Sequence, residues 1–328
     1  MAFQKIALDA LSSALPTRIN VFICSASFEE RSTVIPKAID PSRVDHAIVC
    51  ANKVTFTPLI DQTAAGLLAM FSGRASLAEM SMDNPLVIAD HLQREMRKAG
   101  SGPNRTYVAD ITSFTHEALL ILFRVLQAMV TPSDSVICLY NGAADYSVGL
   151  PPDSKWLTKG VGEIRSVLGY PGEIVPTRRV HLIVLVGYEM ERAERIIGQY
   201  EPSMLSLGYG SPLESISPPL HDLNKKFYSR LSDRYRSVSE FTFSCEDPLA
   251  AKASVEKRVN AASGFNVFVA PMNTKLSTVG VALAAFDNPA IQLCYATAEQ
   301  YNFSSYSIPS TNCYIFKVPF SQSLDKAS

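Results

Sequence analysis

The chain has 328 residues, of which 47% are hydrophobic and 19% charged, a composition typical of globular proteins that bury a full core. Its 30 basic and 31 acidic residues leave a net charge of −1 without any block of like charge, which excludes the basic stripe that proteins use to wrap duplex nucleic acid. The longest apolar runs, such as residues 181–188, are far shorter than the ~20 residues that span a bilayer, so we expect no membrane segment.

Residues 1–18 show a pattern that predicts a short amphipathic N-terminal helix. The segment lacks the basic region, apolar core and small-residue cleavage site of a secretory signal. None of the six cysteines belongs to a C-x-x-C pair, and four of them lie in or beside apolar runs: Cys24, Cys50, Cys138 and Cys294. We therefore expect a cytoplasmic protein with buried, reduced thiols, no structural metal and no cofactor.

Strand and helix patterns alternate through residues 19–140. Apolar runs predict strands at 19–25, 45–51, 75–80, 105–110 and 135–140. The stretches between them predict helices at 29–39, 58–72, 85–99 and 114–130. This alternation is typical of an α/β, Rossmann-like unit with a mainly parallel sheet flanked by helices.

Residues 141–180 connect this unit to the rest of the chain. They contain Trp156, the only tryptophan, among glycines and prolines, with few signals for strands or helices. A connector of this length in a compact protein is often a functional loop. We therefore predict a long connector loop here.

Residues 181–328 repeat the alternation. Strands are predicted at 181–187, 203–208, 237–243, 265–270 and 291–296. Helices are predicted at 189–200, 220–234, 247–262 and 275–286. The tail at 311–320 alternates between apolar and polar residues, which predicts an edge strand added to this second Rossmann-like unit.

Corresponding elements of the two halves lie about 160 residues apart, which suggests an internal duplication. Two local motifs repeat at this spacing, each after a predicted strand: 25–39 with 185–200, and 108–119 with 268–279. The alignment places Glu29 over Glu189 and Thr115 over Thr274. We interpret the chain as two tandem copies of one Rossmann-like unit.

Polar and charged residues follow the first strand of each half. The candidates are Ser27, Glu29 and Arg31 in the first half, and Tyr188, Glu189 and Arg192 in the second. Ligands of open α/β sheets bind beyond the carboxyl ends of the strands, where a glutamate can accept hydrogen bonds from a ribose and an arginine can hold a phosphate. The alternative is a capping box, in which Ser27 caps the helix and Glu30 reaches back to the Ser27 N–H.

Polar residues also follow the fourth strand of the first half: Asp110, Thr112, Ser113, Thr115 and His116. They place an acid, several hydroxyls and a possible cation over a helix N-terminus, where backbone N–H groups favour anions. The alternative is that Thr112 or Ser113 simply caps the helix.

The second copy of this turn contains Asn273, Thr274 and Lys275, without the acid but with a lysine. A lysine at the first turn is unfavourable for the helix dipole, and this is the arrangement expected where an anion binds beside it. The turn therefore predicts binding of a phosphate or nucleotide.

The first copy resembles the strand–Asp-x-Thr-Gly-Gly-Thr-Lys–helix motif of CARF domains, which sense cyclic oligoadenylates in CRISPR defence. Asp110, Thr112 and Thr115 match, whereas Ser113 and Phe114 replace the glycines and His116 replaces the lysine. A tandem copy in one chain resembles the SAVED domains of CBASS systems.

The resemblance implies two halves around a pseudo-twofold axis, with one shared groove for a nucleotide-derived ligand such as a cyclic oligonucleotide. It also implies a role in prokaryotic antiviral defence or stress signalling, with a separate effector protein reading the signal.

Three alternatives stay open. The same groove could act as a metal-independent ring nuclease or other phosphodiesterase, since positioning and charge stabilisation suffice for that chemistry. Residues 21–32 also resemble the first strand and turn of TIR domains, which implies NAD hydrolysis at Glu29 or Glu30. Finally, the protein could be an interaction scaffold. The sequence has no GxGxxG, Walker or HExxH motif that would favour another enzyme class.

Overall fold

The computed structural model describes residues 3–53, 57–151 and 154–320. Over this part of the chain the protein forms two compact units, which we describe separately. Unit 1 comprises Met1–Val148 together with Tyr306–Ser328, and unit 2 comprises Gly149–Ser305. The second unit is therefore inserted between two segments that together form the first.

Unit 1 contains a seven-stranded sheet among the described residues. Its strands are β1 (Gln4–Ala7), β2 (Ile19–Ala26), β3 (Val44–Lys53), β4 (Ala75–Ser81), β5 (Thr106–Asp110), β6 (Ser135–Tyr140) and β17 (Asn312–Lys317). The order across the sheet is β1-β17-β6-β5-β2-β3-β4. The strands from β6 to β4 in this order are parallel, whereas β17 is antiparallel to both β6 and β1.

Helices cover both faces of this sheet, as near-continuous apolar strands require. They are α1 (Leu11–Ala14), α2 (Arg31–Ala38), α3 (Thr57–Met70), α4 (Pro85–Lys98) and α5 (His116–Met129). In β2, Val21, Phe22, Ile23 and Cys24 are all fully buried, so side chains on both faces of the strand enter the core.

Unit 2 contains a six-stranded sheet among the described residues. Its strands are β9 (Ile164–Pro171), β10 (Val180–Leu185), β11 (Met204–Gly210), β12 (Ser239–Phe243), β13 (Asn266–Pro271) and β14 (Ile291–Ala296). The order is β12-β11-β10-β13-β14-β9, parallel except for the antiparallel pair of β14 and β9. The helices are α6 (Met190–Tyr200), α7 (Pro218–Ser232), α8 (Pro248–Asn260) and α9 (Lys275–Asp287).

Each unit also contains a two-stranded ribbon outside its main sheet. In unit 1, β7 (Ala143–Tyr146) pairs with β16 (Ser307–Pro309). In unit 2, β8 (Thr158–Lys159) pairs with β15 (Gln300–Tyr301). Both ribbons are antiparallel and involve the segment that directly follows the fifth parallel strand of the unit.

The α/β, Rossmann-like fold predicted from periodicity is confirmed. In each unit the parallel strands follow the order third, second, first, fourth, fifth, with the antiparallel strand beside the fifth. An internal duplication would produce this agreement, but the order is also the common Rossmann arrangement. The duplication itself stays a prediction.

Three predictions about the connecting segments were wrong. Residues 4–7 of the predicted N-terminal helix form a strand, because their backbone pairs with β17 in the register Ile6 to Cys313. The predicted connector loop contains β7, β8 and β9, whose partners lie far away in the sequence. The tail belongs to unit 1 and lies between β1 and β6, so it is neither an edge strand nor part of the second half.

No helix in the described ranges combines the length and the apolar character needed to cross a membrane. The same residues contain no cluster of three or more histidine, cysteine, aspartate or glutamate side chains able to hold a metal ion. All six cysteines are buried and free of disulfide bonds, so the predicted buried thiols are confirmed.

Candidate functional site

The predicted site residues lie at the carboxyl ends of the strands where the strand order reverses. In unit 1 this point is between β2 and β5, and in unit 2 it is between β10 and β13. Chains leaving two such strands run to opposite sides, which opens the crevice that α/β proteins use for ligands. The structure thus brings the two predicted motifs of each half together. A groove shared by the two halves stays a prediction.

Asp110 ends β5 with its carboxyl group buried. One carboxylate oxygen, Oδ1, accepts hydrogen bonds from the Thr112 N–H at 3.0 Å and from the Thr112 hydroxyl at 2.5 Å. Burial raises the pKa of Asp110 from 3.8 to about 7, although the Thr112 hydrogen bonds and the nearby Arg31 oppose the shift. This carboxyl group therefore titrates near neutral pH.

The turn after β5 is connected to both neighbouring strands. The Thr112 hydroxyl accepts a hydrogen bond from the Asn141 N–H, just after β6, at 3.0 Å. The Ser113 hydroxyl donates to the Ser25 carbonyl oxygen in β2 at 2.8 Å. Since Thr112 is also fully buried, its hydroxyl organises the turn. Ser113 is half-buried.

The helix caps are the two aligned threonines. The Thr115 hydroxyl accepts from the Ala118 N–H at 3.2 Å, so α5 begins at His116. The Thr274 hydroxyl accepts from the Ser277 N–H at 3.1 Å, so α9 begins at Lys275. The hypothesis that Thr112 or Ser113 caps α5 was wrong, because Thr115 is the residue with extended backbone directly before the helix.

His116 and Lys275 therefore occupy the same position, the first residue of the helix after the fourth parallel strand. His116 is buried, whereas Lys275 is half-buried. The first backbone N–H groups of a helix have no partner within the helix and carry partial positive charge. In unit 2 a cationic side chain thus lies next to a helix end that already favours anions.

The turn after β13 packs closely on the end of β10. The Asn273 side-chain amide donates to the Val186 carbonyl oxygen at 2.7 Å, and Asn224 donates to the same oxygen at 2.8 Å. A Cβ atom at Gly187 would lie 1.8 Å from the Met272 carbonyl oxygen, so only glycine fits there. Sequence analysis missed Gly187, although a glycine ending a strand is a signal of close backbone approach.

Glu29 and Arg31 pair with each other in the interior of unit 1. Arg31 donates from Nη2 and Nε to Glu29 Oε2, at 2.7 and 3.0 Å, and from Nη1 to the Asn141 carbonyl oxygen at 3.1 Å. Ser307 in β16 accepts from Arg31 Nε at 2.9 Å and donates to Glu29 Oε2 at 2.8 Å. The pair thus connects the start of α2 with the end of β6 and with the ribbon.

The capping box proposed for this turn was wrong. Glu30 is the residue before α2, but its side chain is exposed and makes no cap hydrogen bond in the described structure. The Ser27 hydroxyl accepts from the Glu29 N–H, at 3.4 Å. The glutamate with a structural role is Glu29, which lies in the interior because the buried guanidinium of Arg31 requires a counter-charge.

Glu189 and Arg192 form the equivalent pair in unit 2. Arg192 Nη1 lies 2.5 Å from Glu189 Oε2, and both side chains are less than 10% exposed. Glu189 also accepts from the Thr158 hydroxyl in β8, and Arg192 donates to the Ala296 carbonyl oxygen at the end of β14. Sequence analysis found both ion-pair partners but missed Thr158 and Ser307, for which no local pattern exists.

Tyr188 directs its hydroxyl into unit 2, where it donates to the Leu220 carbonyl oxygen at 3.1 Å. The predicted residues therefore fall into two groups. Those that organise the interior are Glu29, Arg31, Asp110, Thr112, Glu189 and Arg192. Those that are half-buried at the strand ends include Ser113, Thr115, Asn273, Thr274 and Lys275.

No protein-family model and no curated protein sequence matches the chain. The solved structures that match weakly include three proteins. The pyocyanin biosynthetic protein PhzM is 16% identical over 44% of this chain and 38% of its own, with a TM-score of 0.23. A Leishmania major SAM-dependent methyltransferase is 12% identical over 51% of this chain and 67% of its own, with a TM-score of 0.24.

The third is Haemonchus contortus phosphoethanolamine N-methyltransferase 1, 9% identical over 80% of this chain and 72% of its own, with a TM-score of 0.27. The chain spans less than half the length of PhzM. Likeness at these TM-scores says nothing about the function of the chain.

Proposed function

We propose that the protein binds a nucleotide-derived, anionic ligand at the strand ends and acts as a sensor. The observation that carries this proposal is the position of Lys275, half-buried at the first residue of α9 and at the point where the strand order of unit 2 reverses. A phosphate there would contact a cationic side chain and the positive end of a helix together. The Thr115–His116 turn is the corresponding place in unit 1.

The geometry of the ionisable groups favours a sensor over an enzyme. The carboxylates of Glu29 and Glu189 are paired with buried arginines. The Asp110 carboxyl accepts two hydrogen bonds from Thr112. Burial raises the pKa of the Cys245 thiol, beside Asn273, to about 12, which disfavours the nucleophilic thiolate. These groups support the shape of the strand ends and are poorly placed to attack a ligand.

The ligand class is proposed from the resemblance to CARF and SAVED domains. We propose a cyclic oligonucleotide, a role in prokaryotic antiviral defence or stress signalling, and a separate effector protein. A thermal-shift screen should therefore include cyclic and linear oligoadenylates, NAD and simple nucleoside phosphates. Stabilisation by a cyclic oligonucleotide above its linear form is expected, and stabilisation by none of the compounds would refute the proposed ligand class.

Lys275→Ala should weaken binding of the best compound roughly ten- to a hundred-fold, since a charge-assisted hydrogen bond contributes about 1.5–3 kcal/mol. The fold should stay intact or become slightly more stable, because the change removes an unfavourable charge at the helix start. Isothermal titration calorimetry measures the affinity. The matched control is Lys257→Ala, which removes an exposed lysine from α8 of the same unit.

Equal affinity of the wild type and Lys275→Ala would show that Thr274 and Lys275 only form the start of α9 and do not bind the ligand. Mass spectrometry of the compound recovered after incubation separates sensor from enzyme. Intact ligand is expected, whereas a linear product from a cyclic compound would establish the ring-nuclease alternative.

A further inference from the structure

The antiparallel strand of each sheet comes from outside the sequence span of its five parallel strands. In unit 1 it is β17 (Asn312–Lys317), which follows all of unit 2 in the chain. In unit 2 it is β9 (Ile164–Pro171), which precedes the first parallel strand, β10. Each antiparallel strand pairs with the fifth parallel strand, β6 or β14.

Each two-stranded ribbon also pairs segments that lie far apart in the chain. The short strand before β17 is β16, and it pairs with β7, which follows β6. The short strand before β9 is β8, and it pairs with β15, which follows β14. Read along the chain, five parallel strands, two short strands and one antiparallel strand occur twice in the same sequence.

We infer that the protein is built from two repeats that exchange their C-terminal arms. Repeat 1 runs from β2 to β9 and repeat 2 from β10 to β17. Arm 1, residues 158–171, leaves repeat 1 and completes unit 2. Arm 2, residues 307–317, leaves repeat 2 and completes unit 1. This is the connectivity of an arm-exchanged dimer of single repeats joined into one chain.

Arm 2 is part of the core of unit 1. Cys313, Tyr314 and Ile315 are at most 2% exposed, and β17 has hydrogen-bonded neighbours on both sides. The Asn141 side-chain amide donates to the carbonyl oxygens of Ser310 and Asn312, each at 2.8 Å. Without arm 2, the β6 edge and this amide would both lose their partners.

Arm 1 has the same role in unit 2. Val167 and Tyr170 are 1% exposed, and the Tyr170 ring stacks on Phe286 of α9 with the ring centroids 5.7 Å apart. The Ser166 hydroxyl accepts a hydrogen bond from Gln292 in β14. Each arm also reaches the buried ion pair of the unit that it completes, through Thr158 or Ser307. Neither five-stranded core is therefore complete within its own repeat.

Site-specific cleavage of the folded, full-length chain tests this inference. A protease recognition sequence inserted between Pro176 and Thr177, in an exposed stretch between β9 and β10, separates the two repeats at their junction. After cleavage both fragments should co-elute with uncut protein in gel filtration, at low concentration and in 1 M NaCl. Strand pairing and apolar burial are insensitive to screening by salt. Separation of the fragments would overturn the inference.

A second insertion variant shows whether the arms hold the fragments together. It carries recognition sequences between Gly149 and Leu150 and between Ser304 and Ser305, so that cleavage leaves arm 1 with the strands of unit 2 and frees arm 2 as a peptide. Arm exchange predicts that residues 150–304 now elute apart from residues 1–149 with their bound arm 2 peptide. Continued co-elution of all three fragments would show an association that does not depend on the arms, and would refute the inference.

Discussion

At the residue scale, Asp110 ends β5 with a carboxyl group that is 1% exposed. Its hydrogen bonds to Thr112 and the nearby Arg31 favour the ionised form, whereas burial and the nearby Glu29 favour the protonated form. Burial dominates, so the pKa lies at about 7. The side chain that resembled a ligand group in the sequence is thus a buried acid that titrates in the physiological range.

Asp110 makes the stability of the protein depend on pH in a defined direction. Its pKa rises from 3.8 to about 7 on folding, so between these values the native state binds more protons than the unfolded state. This contribution to the free energy of unfolding is complete below about pH 4 and is lost as the pH rises through 7. Asp110→Asn keeps the Oδ1 acceptor but cannot ionise. It should be more stable than the wild type at pH 8.

Urea unfolding of both proteins between pH 4 and pH 8 gives the free energy of unfolding at each pH. The effect of Asp110 is the difference between the two proteins in the slope of this free energy against pH. The control is Asp45→Asn, which makes the same change from carboxyl to amide at a surface residue that pairs with Arg18. The Asp45 variant should keep the wild-type slope. Identical pH dependence in the wild type and Asp110→Asn would contradict the titration of Asp110.

At the element scale, the buried ion pairs connect helix starts to strand ends. Arg31 joins the first turn of α2 to the end of β6 and to β16, and its guanidinium lies over the Tyr146 ring at 5.6 Å. Arg192 joins the first turn of α6 to the end of β14 and lies over the Tyr295 ring at 4.9 Å. The two units thus use the same chemistry at the same place, with different residue spacing.

Removing one member of such a pair should destabilise the protein more than removing both. Arg31→Met leaves the Glu29 carboxylate buried without its counter-charge, which typically costs about 3–5 kcal/mol. The double variant Glu29→Gln with Arg31→Met leaves no buried charge and should recover part of this loss. Free energies of unfolding from urea titrations measure both changes.

Arg18→Met is the matched control for Arg31→Met. It breaks the surface pair with Asp45, and the Arg18 side chain is 74% exposed. Exposed pairs contribute about 0–1 kcal/mol, so this variant should unfold close to the wild-type midpoint. If Arg31→Met lowered the free energy of unfolding as little as Arg18→Met, the buried pair would not stabilise the start of α2 and the end of β6.

At the scale of the whole molecule, arm exchange affects the two units differently. Unit 2 is one continuous segment that contains arm 1, whereas unit 1 needs arm 2 from the far end of the chain. Trp156, the only tryptophan, lies in unit 2, and the Lys159 ammonium group of arm 1 lies over its ring at 4.4 Å. Ile315 lies in arm 2 and is fully buried in unit 1, so the substitution and the fluorophore report on different units.

Ile315→Ala should lower the unfolding midpoint of unit 1 and leave the midpoint seen by Trp156 fluorescence close to that of the wild type. The substitution removes buried apolar atoms from unit 1 and typically costs about 2–5 kcal/mol. Unit 2 keeps arm 1 when unit 1 unfolds, so far-UV circular dichroism should detect a transition that precedes the Trp156 transition. A Trp156 midpoint that falls as far as the circular dichroism midpoint would show that unit 2 depends on unit 1. Ile315→Val, a smaller deletion, should shift the circular dichroism transition less.

Periodicity alone was sufficient to predict the parallel strands and the helices that follow them. The run from Ile19 to Ala26 is apolar except for Asn20 and Ser25, which is the pattern of a strand buried on both faces, and the structure contains β2 there. The polar turns after β5 and β13 were also recognisable, and the start of α9 at Lys275 was located, whereas the cap of α5 is Thr115 and not Thr112 or Ser113. These features depend on residues that are close in the sequence, so a linear reading can detect them.

Only the tertiary structure decided which strands share a sheet and which charges meet. The tail strand Asn312–Lys317 pairs with β6, with Phe316 opposite Cys138, and Ser307 contacts Glu29, 278 residues earlier in the chain. Backbone pairing is nearly independent of side-chain identity, and a buried arginine can donate to any well-placed oxygen. Local patterns therefore determined the elements and their turns. The path of the arms and the partners of Glu29 and Arg31 depend on packing between distant segments, which no local pattern encodes.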